Sequence, residues 1–177
     1  MVVPTKGLGP SAWIVANADL LPPPGRALDI ACGAGRHTLL LANSGFAVRA
    51  IDRDPDAIGR LLEMAKVLRV DIDAVVMDLE SDPPPPLGAR EYDLVVGFNY
   101  LHRALMPALR EAVKPGGRIF YETFTTRQAE RGHPKNPAFL LKDGELAELM
   151  APFAILRARE GEFDGRFIAS IVAERPK

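Results

Sequence analysis

Three aspartates fall in or at the ends of three apolar runs. Asp29 sits inside the run of LDIACGAGRHTLLLA (28–42), Asp52 closes FAVRAID (46–52), and Asp78 closes DAVVMD (73–78). Gly33 and Gly35 follow the first run and precede a helix-like segment. A glycine-rich turn between a strand and a helix lets backbone approach a nucleotide closely. NAD, ATP and S-adenosylmethionine all use such a turn. The P-loop pattern GxxxxGK[ST] is absent. The dinucleotide fingerprint GxGxxG is incomplete, because its third small residue is replaced by Thr38. Asp29 also argues against a pyrophosphate, which a nearby carboxylate would repel. The same carboxylate would attract the ammonium end of S-adenosylmethionine, while the start of the helix after Gly35 favours its carboxylate, with Arg36 placed to grip that group. Asp52 lies 19 residues past Gly33, where an acid can take both ribose hydroxyls, a position that also suits NAD. Asp78, or the backbone amide of Leu79, is placed for the adenine edge.

These acids need a frame, and the hydrophobic pattern supplies one. ALDIA (27–31), FAVRAID, DAVVMD, YDLVVGF (92–98) and GRIFYETF (117–124) read as strands, and AILRARE (154–160) with RFIASIVAER (166–175) as a closing antiparallel pair. Helical stretches fall between most of them: 38–42, a helix capped by Asp54 with Pro55 at its first position, 107–113, and 144–150. Apolar spacing in 11–21 gives an N-terminal helix, stopped by three prolines. Alternation of this kind makes an α/β fold with a mostly parallel, doubly wound sheet covered on both faces. Between the third and fourth strands, DLESDPPPPLGARE carries too much proline for a helix, so a proline-rich loop is expected to make that crossover.

The chain has 177 residues, one domain's worth, and its 47% apolar and 25% charged composition is that of a soluble globular protein. A formal net charge of -1 gives no global field toward nucleic acid or anionic lipid. Cys32 is the sole cysteine, so no intrachain disulfide forms, and no apolar run reaches the roughly 20 residues that cross a bilayer. A cytoplasmic protein without a membrane partner, and with no metal site, is the expectation. Cys32 reads as a small packed residue.

Five segments in order then carry a resemblance: LDIACGAGRHTLLLA, AIDRDPDAI, VVMDLES, YDLVVGFNYLH and VKPGGRIFYETF, spanning 27–124. The chain resembles the class I S-adenosylmethionine-dependent methyltransferases, in particular the small single-domain bacterial type that includes the tellurite-resistance (TehB-like) group. That resemblance implies a Rossmann-like sheet of seven strands in order 3-2-1-4-5-7-6, with strand 7 antiparallel, in one domain over 1–177. It implies S-adenosylmethionine as cofactor, held by Asp29, Ala31, Gly33, Gly35, Arg36, Asp52, Arg53, Asp78, Leu79 and Asn99. It also implies an N-terminal helix within 1–25 that closes over the cofactor, with Trp13 as a contact. The family's usual first glycine is Ala31 here, whose methyl narrows the slot.

Methyl transfer from a sulfonium is an in-line displacement that needs alignment and exclusion of water, and a general base only when the acceptor holds its proton tightly. His102, Tyr100 and Glu122 are the candidates for that base. The segment TTRQAERGHPKNPAFL, within 125–143, is polar and aperiodic and reads as a lid. Its Arg127, Arg131, His133 and Lys135 are locally basic, so an anionic small-molecule acceptor is expected, met by Tyr100, Arg103, Arg131 and His133. FNYL stands where exocyclic-amine N-methyltransferases have NPPY, and no base-stacking platform is visible, so nucleic acid is disfavoured. Three other readings remain open: a cofactor-binding sensor or partner subunit without turnover, a methyltransferase acting on RNA or protein, and an NAD-dependent oxidoreductase. Neither the acceptor atom nor the oligomeric state is legible.

Overall fold

The computed structural model describes residues 9–177. Seven strands form one sheet: β1 (Arg26–Ile30), β2 (Ala47–Asp52), β3 (Ile72–Val76), β4 (Tyr92–Phe98), β5 (Val113–Phe124), β6 (Ala154–Phe163) and β7 (Arg166–Glu174), in the order β3-β2-β1-β4-β5-β7-β6. β1 pairs in parallel with β2 and β4, while β7 runs antiparallel to both β5 and β6. The expected strand order and the single antiparallel strand are thus present.

Helices cover both faces. On one side lie α1 (Ala12–Ala16), α2 (Arg36–Asn43) and α3 (Pro55–Leu68), packed through Trp13, Ile14, Leu41, Ile58 and Leu61 onto Val48, Ala50, Val96 and Phe120. On the other lie α4 (Met106–Ala112) and α5 (Glu145–Met150), packed onto Ile119, Tyr121 and Ile171. α3 forms as the sequence dictates. Asp54 accepts a hydrogen bond from the Asp56 amide, Pro55 opens the helix, and Ala57, Ile58, Leu61 and Ala65 make its buried stripe. No helix forms between β3 and β4. Leu79 and Leu87 of the proline-rich loop fill the core beneath β3 instead.

Boundaries differ from the sequence reading in instructive ways. β1 stops at Ile30 because Ala31 turns left-handed, with φ of 50°. β5 begins at Val113, since KPGG continues the strand through a register shift against β4 between Tyr92 and Leu94. The expected N-terminal helix is a five-residue α1 followed by a 3-10 turn at Ala18–Leu20, because the Asn17 side chain donates to the Trp13 carbonyl and closes the helix early. The part of the N-terminal segment over 1–8 lies outside the described residues. No described helix is long and apolar enough to cross a membrane.

Candidate cofactor and acceptor site

Register places the functional ends side by side: Ile30 lies beside Ile51 and Gly97, and Asp52 beside Val76. Ligands of open α/β sheets bind at such carboxyl ends. From Ala31 to Gly35 the chain makes a tight turn, the Gly35 amide donating to the Cys32 carbonyl. Gly33 adopts φ of 55°, and a Cβ there would point into open space. Gly35, at φ of 79°, caps α2, and a Cβ there would collide with the Leu61 side chain. The first glycine keeps space for a ligand and the second lets α3 approach.

Asp52 holds this turn while facing the site. One carboxylate oxygen accepts from the Gly33 amide at 2.7 Å, the other from the Asp54 amide at 2.9 Å. Asp29 is 1% exposed inside β1 and accepts a 2.6 Å bond from the Thr38 hydroxyl. Burial pushes its carboxyl up to about 7, against the opposing pull of Thr38. Burial and the neighbouring Asp29 push the Cys32 thiol well above its ordinary value, so it packs and does not attack.

Two cavities meet at Ala31, which lines both. The larger, about 1020 Å³, runs along Asp29, Gly33, Arg36, His37, Phe98 and Asn99, then between α2 and α3 past Leu40, Arg60 and Met64. The smaller, about 130 Å³, is lined by Asp52, Arg53, Met77, Asp78, Leu79, Glu80 and Tyr100. Among the described residues the buried Tyr100 hydroxyl has no hydrogen-bond partner, and burial followed by Glu80 and Asp78 raises its ionisation above the ordinary phenol value. That hydroxyl therefore belongs with the acids of the smaller cavity. A third hollow, about 440 Å³, is lined by Asn99, Tyr100, Leu101, Phe124, His133, Pro134 and Phe139. Asn99 joins it to the large cavity; its φ of 57° is a left-handed conformation that asparagine tolerates.

Other expected site residues are committed elsewhere. Trp13 is buried on β7, its indole N–H donating to the Ile171 carbonyl at 3.3 Å under the Arg159 guanidinium, so it packs and does not line the cavity; Pro10 lines it instead. Arg103 lines none of the three hollows. It forks onto Glu145 and donates to the Ala138 and Leu140 carbonyls. Arg131 pairs with Glu162 and lies over the Phe167 ring. Glu122 is 1% exposed and saturated: it accepts from Ser11, Ser170 and Arg159, with Arg166 at 3.8 Å. A carboxylate so held anchors the N-terminal segment to β5, β6 and β7. His102 does not line any of the three hollows, and its buried Nε2 has no partner among the described residues. Arg36 lines the large cavity and donates to the Gly9 carbonyl, and Arg53 reaches Glu80 at 3.8 Å.

His37 is one residue that sequence spacing did not single out. It stacks on Phe98 at 4.0 Å and accepts from the Ser11 amide; burial, then Arg36, pushes it down to about 3, so it stays neutral. Gln128 is another. Its amide oxygen accepts from the Phe167 amide and its nitrogen donates to the His133 carbonyl, and the strap 125–143 is further closed by the Thr126 amide on the Leu141 carbonyl.

A family model described as a methyltransferase domain matches residues 27–117, which covers the glycine turn, all three acids and the fourth strand. The chain belongs to the methyltransferase-domain family. A ubiquinone biosynthesis O-methyltransferase of Paraburkholderia xenovorans is 34% identical over 121 residues, covering 63% of this chain and 49% of that one. Hemagglutinin 1 of Eikenella corrodens is 26% identical over 146 residues, covering 77% and 46%. The chain thus spans about half the length of the curated relatives it matches. Among solved structures, TehB from Haemophilus influenzae superposes with a TM-score of 0.75 at 21% identity, over 92% of this chain and 61% of that one, which is a likeness of fold.

The cofactor of this methyltransferase family is S-adenosylmethionine, and the residues present fit it. Gly33 leaves its Cβ space open, Asp29 is an acid facing the large cavity, and the unpartnered Tyr100 hydroxyl sits with Asp52 and Asp78 in the small one.

Proposed function

We propose that the chain transfers a methyl group from S-adenosylmethionine to a small molecule. The observation that carries this reading is the meeting of two cavities at Ala31, one holding Asp29 and the other Asp52 and Asp78. When bound, the cofactor supplies an electrophilic methyl on a sulfonium. The chain's own residues then have separable tasks. Asp52 keeps the Gly33 turn in place and has lone pairs left for ribose hydroxyls. Asp78, the Leu79 amide and the Tyr100 hydroxyl hold the adenosine end, and Arg53 closes its rim. Asp29, once ionised, pairs with the ammonium, and Arg36 with the carboxylate. Asn99 stands where the donor and acceptor spaces join, so it sets the approach of the acceptor.

A small acceptor is supported by the third hollow, whose volume of about 440 Å³ lies within the range of small-molecule sites. The name of the ubiquinone biosynthesis relative points the same way. Titration calorimetry with S-adenosylmethionine and NAD separates the cofactors: micromolar binding of the first and none of the second is expected, and the reverse overturns the reading. Labelled S-adenosylmethionine incubated with a metabolite extract then tests turnover. Tight binding with no transfer to any metabolite, protein or RNA would establish a sensor or partner subunit instead.

A further inference from the structure

We propose that the hollow between the end of β4 and the 125–143 strap takes a neutral hydroxylated aromatic ring, with the His133 imidazole as the partner of its hydroxyl. This rests on the methyl-transfer reading and names the acceptor class for it.

The walls set the shape. Phe124 from β5, Phe139 and Pro134 from the strap, and Leu101 after β4 present apolar and aromatic surface around a space next to Asn99. Aromatic side chains hold a flat ring by offset or edge-to-face contact. Charge sets the chemistry. No lysine or arginine is among the residues lining the hollow. Arg103 and Arg131, expected to receive an anion, are spent on Glu145 and Glu162. An acceptor carboxylate or phosphate would therefore lose its hydration without gaining a cation, which is costly. A neutral ring loses far less.

Two lining residues carry acid–base side chains, Tyr100 and His133. The Tyr100 hydroxyl is buried among the acids on the adenosine side, which leaves His133. Its backbone is fixed by Gln128, itself 7% exposed and bonded to the Phe167 amide of β7, and by the Arg103 clamp on Ala138 and Leu140 further along the strap. His133 is an exposed residue, so a proton it receives can pass to water. A phenol holds its proton too tightly to react well at neutral pH, and a positioned imidazole removes it. The balance closes. The O–H proton goes to a ring nitrogen of His133, the oxygen–methyl bond forms as the carbon–sulfur bond of S-adenosylmethionine breaks, and S-adenosylhomocysteine leaves with the electron pair on sulfur.

The test uses the full chain saturated with S-adenosylhomocysteine and three probe sets: neutral phenols, benzoates and aliphatic alcohols. Calorimetry is expected to show phenols binding at least tenfold more tightly than the matched benzoates or alcohols, with Phe139→Ala weakening them at least fivefold. His133→Gln is expected to leave phenol affinity within about threefold while lowering turnover of S-adenosylmethionine with the best phenol by about a hundredfold, the lower end of what a general base contributes. Benzoates binding better than phenols, or no probe binding while S-adenosylhomocysteine binds, would overturn the acceptor class and leave the cofactor reading intact. Unchanged turnover in His133→Gln would overturn the role of His133. Failure to bind S-adenosylhomocysteine at all would instead sink the methyl-transfer reading.

Discussion

The half of the sheet from β1 to β4 and the half from β5 to β7 position their groups by different means. In the first, backbone does most of the holding: the Gly33 and Asp54 amides fix Asp52, and the Glu80 amide fixes Asp78. These bonds span few residues or adjoining strand ends. In the second, side chains are spent on long-range anchoring. Glu122 ties Ser11, 111 residues before it, to Ser170, Arg159 and Arg166, and Arg103 ties α5 and the strap across 42. Asp29, Asp52 and Asp78 of the first half line ligand space. In the second, acidic and basic residues mostly face one another.

Substitutions can break this contrast, beginning with the largest effect. Glu122→Ala leaves Arg159 and Arg166 without their buried partner and is expected to cost about 3 kcal/mol. Thermal unfolding should fall by roughly 6–12 °C, while affinity for S-adenosylmethionine, measured on the protein still folded at low temperature, stays within about threefold. A large loss of affinity at unchanged stability would place Glu122 in the ligand site after all. Asp52→Ala should behave in the opposite way, with S-adenosylmethionine binding at least tenfold weaker and a stability loss of only about 1 kcal/mol from the freed Gly33 amide. Calorimetry and a melting curve on the same sample decide it.

Asp29 gives a pH signature. Its carboxyl is raised from 3.8 to about 7, so the folded protein without ligand holds a proton that the unfolded chain has lost between about pH 4 and 7. This group therefore stabilises least at the upper end of that window. An ammonium needs the ionised form. Affinity for S-adenosylmethionine is thus expected to rise up to about tenfold per unit between pH 5.5 and 7 and then level off, with proton release visible as buffer-dependent heat. Asp29→Asn should flatten that rise. The smallest expected effect is at Ala31. Its left-handed φ of 50° strains a residue with a Cβ, so Ala31→Gly should raise stability by about 0.5–1 kcal/mol, or a few degrees of melting temperature. No gain would mean that the turn is relaxed with alanine in place.

The same contrast explains what the sequence made legible. The strands, the proline-rich crossover and the three acids could be read because apolar periodicity and short spacings encode them, and the glycine turn carries its own geometry; the strand order came from the family resemblance. Asp29, Gly33 and Asp52 consequently fall where spacing placed them. Arg103, Arg131 and Glu122 could not be assigned this way. Their partners Glu145, Glu162 and Ser170 lie 31 to 48 residues distant, and nothing local distinguishes an arginine that grips a ligand from one that grips a loop. Trp13 failed for a related reason, since its indole is claimed by a strand 158 residues further on. His37 and Gln128 were invisible because each acts through one buried contact and no motif.

Among the described residues, the order β3-β2-β1-β4-β5-β7-β6 also leaves β3 and β6 with unpaired rims. An open rim is a template on which a second copy can add its own strand, which is the route to edge-to-edge aggregation. Here both rims carry charge. Asp73 lies on β3, paired with Arg49 of the neighbouring strand, and β6 presents Arg157, Glu160 and Glu162. Exposed Val76 on one rim and Ile155 and Leu156 on the other would otherwise make adhesive strips. Charges so placed oppose the addition of an eighth strand to either rim.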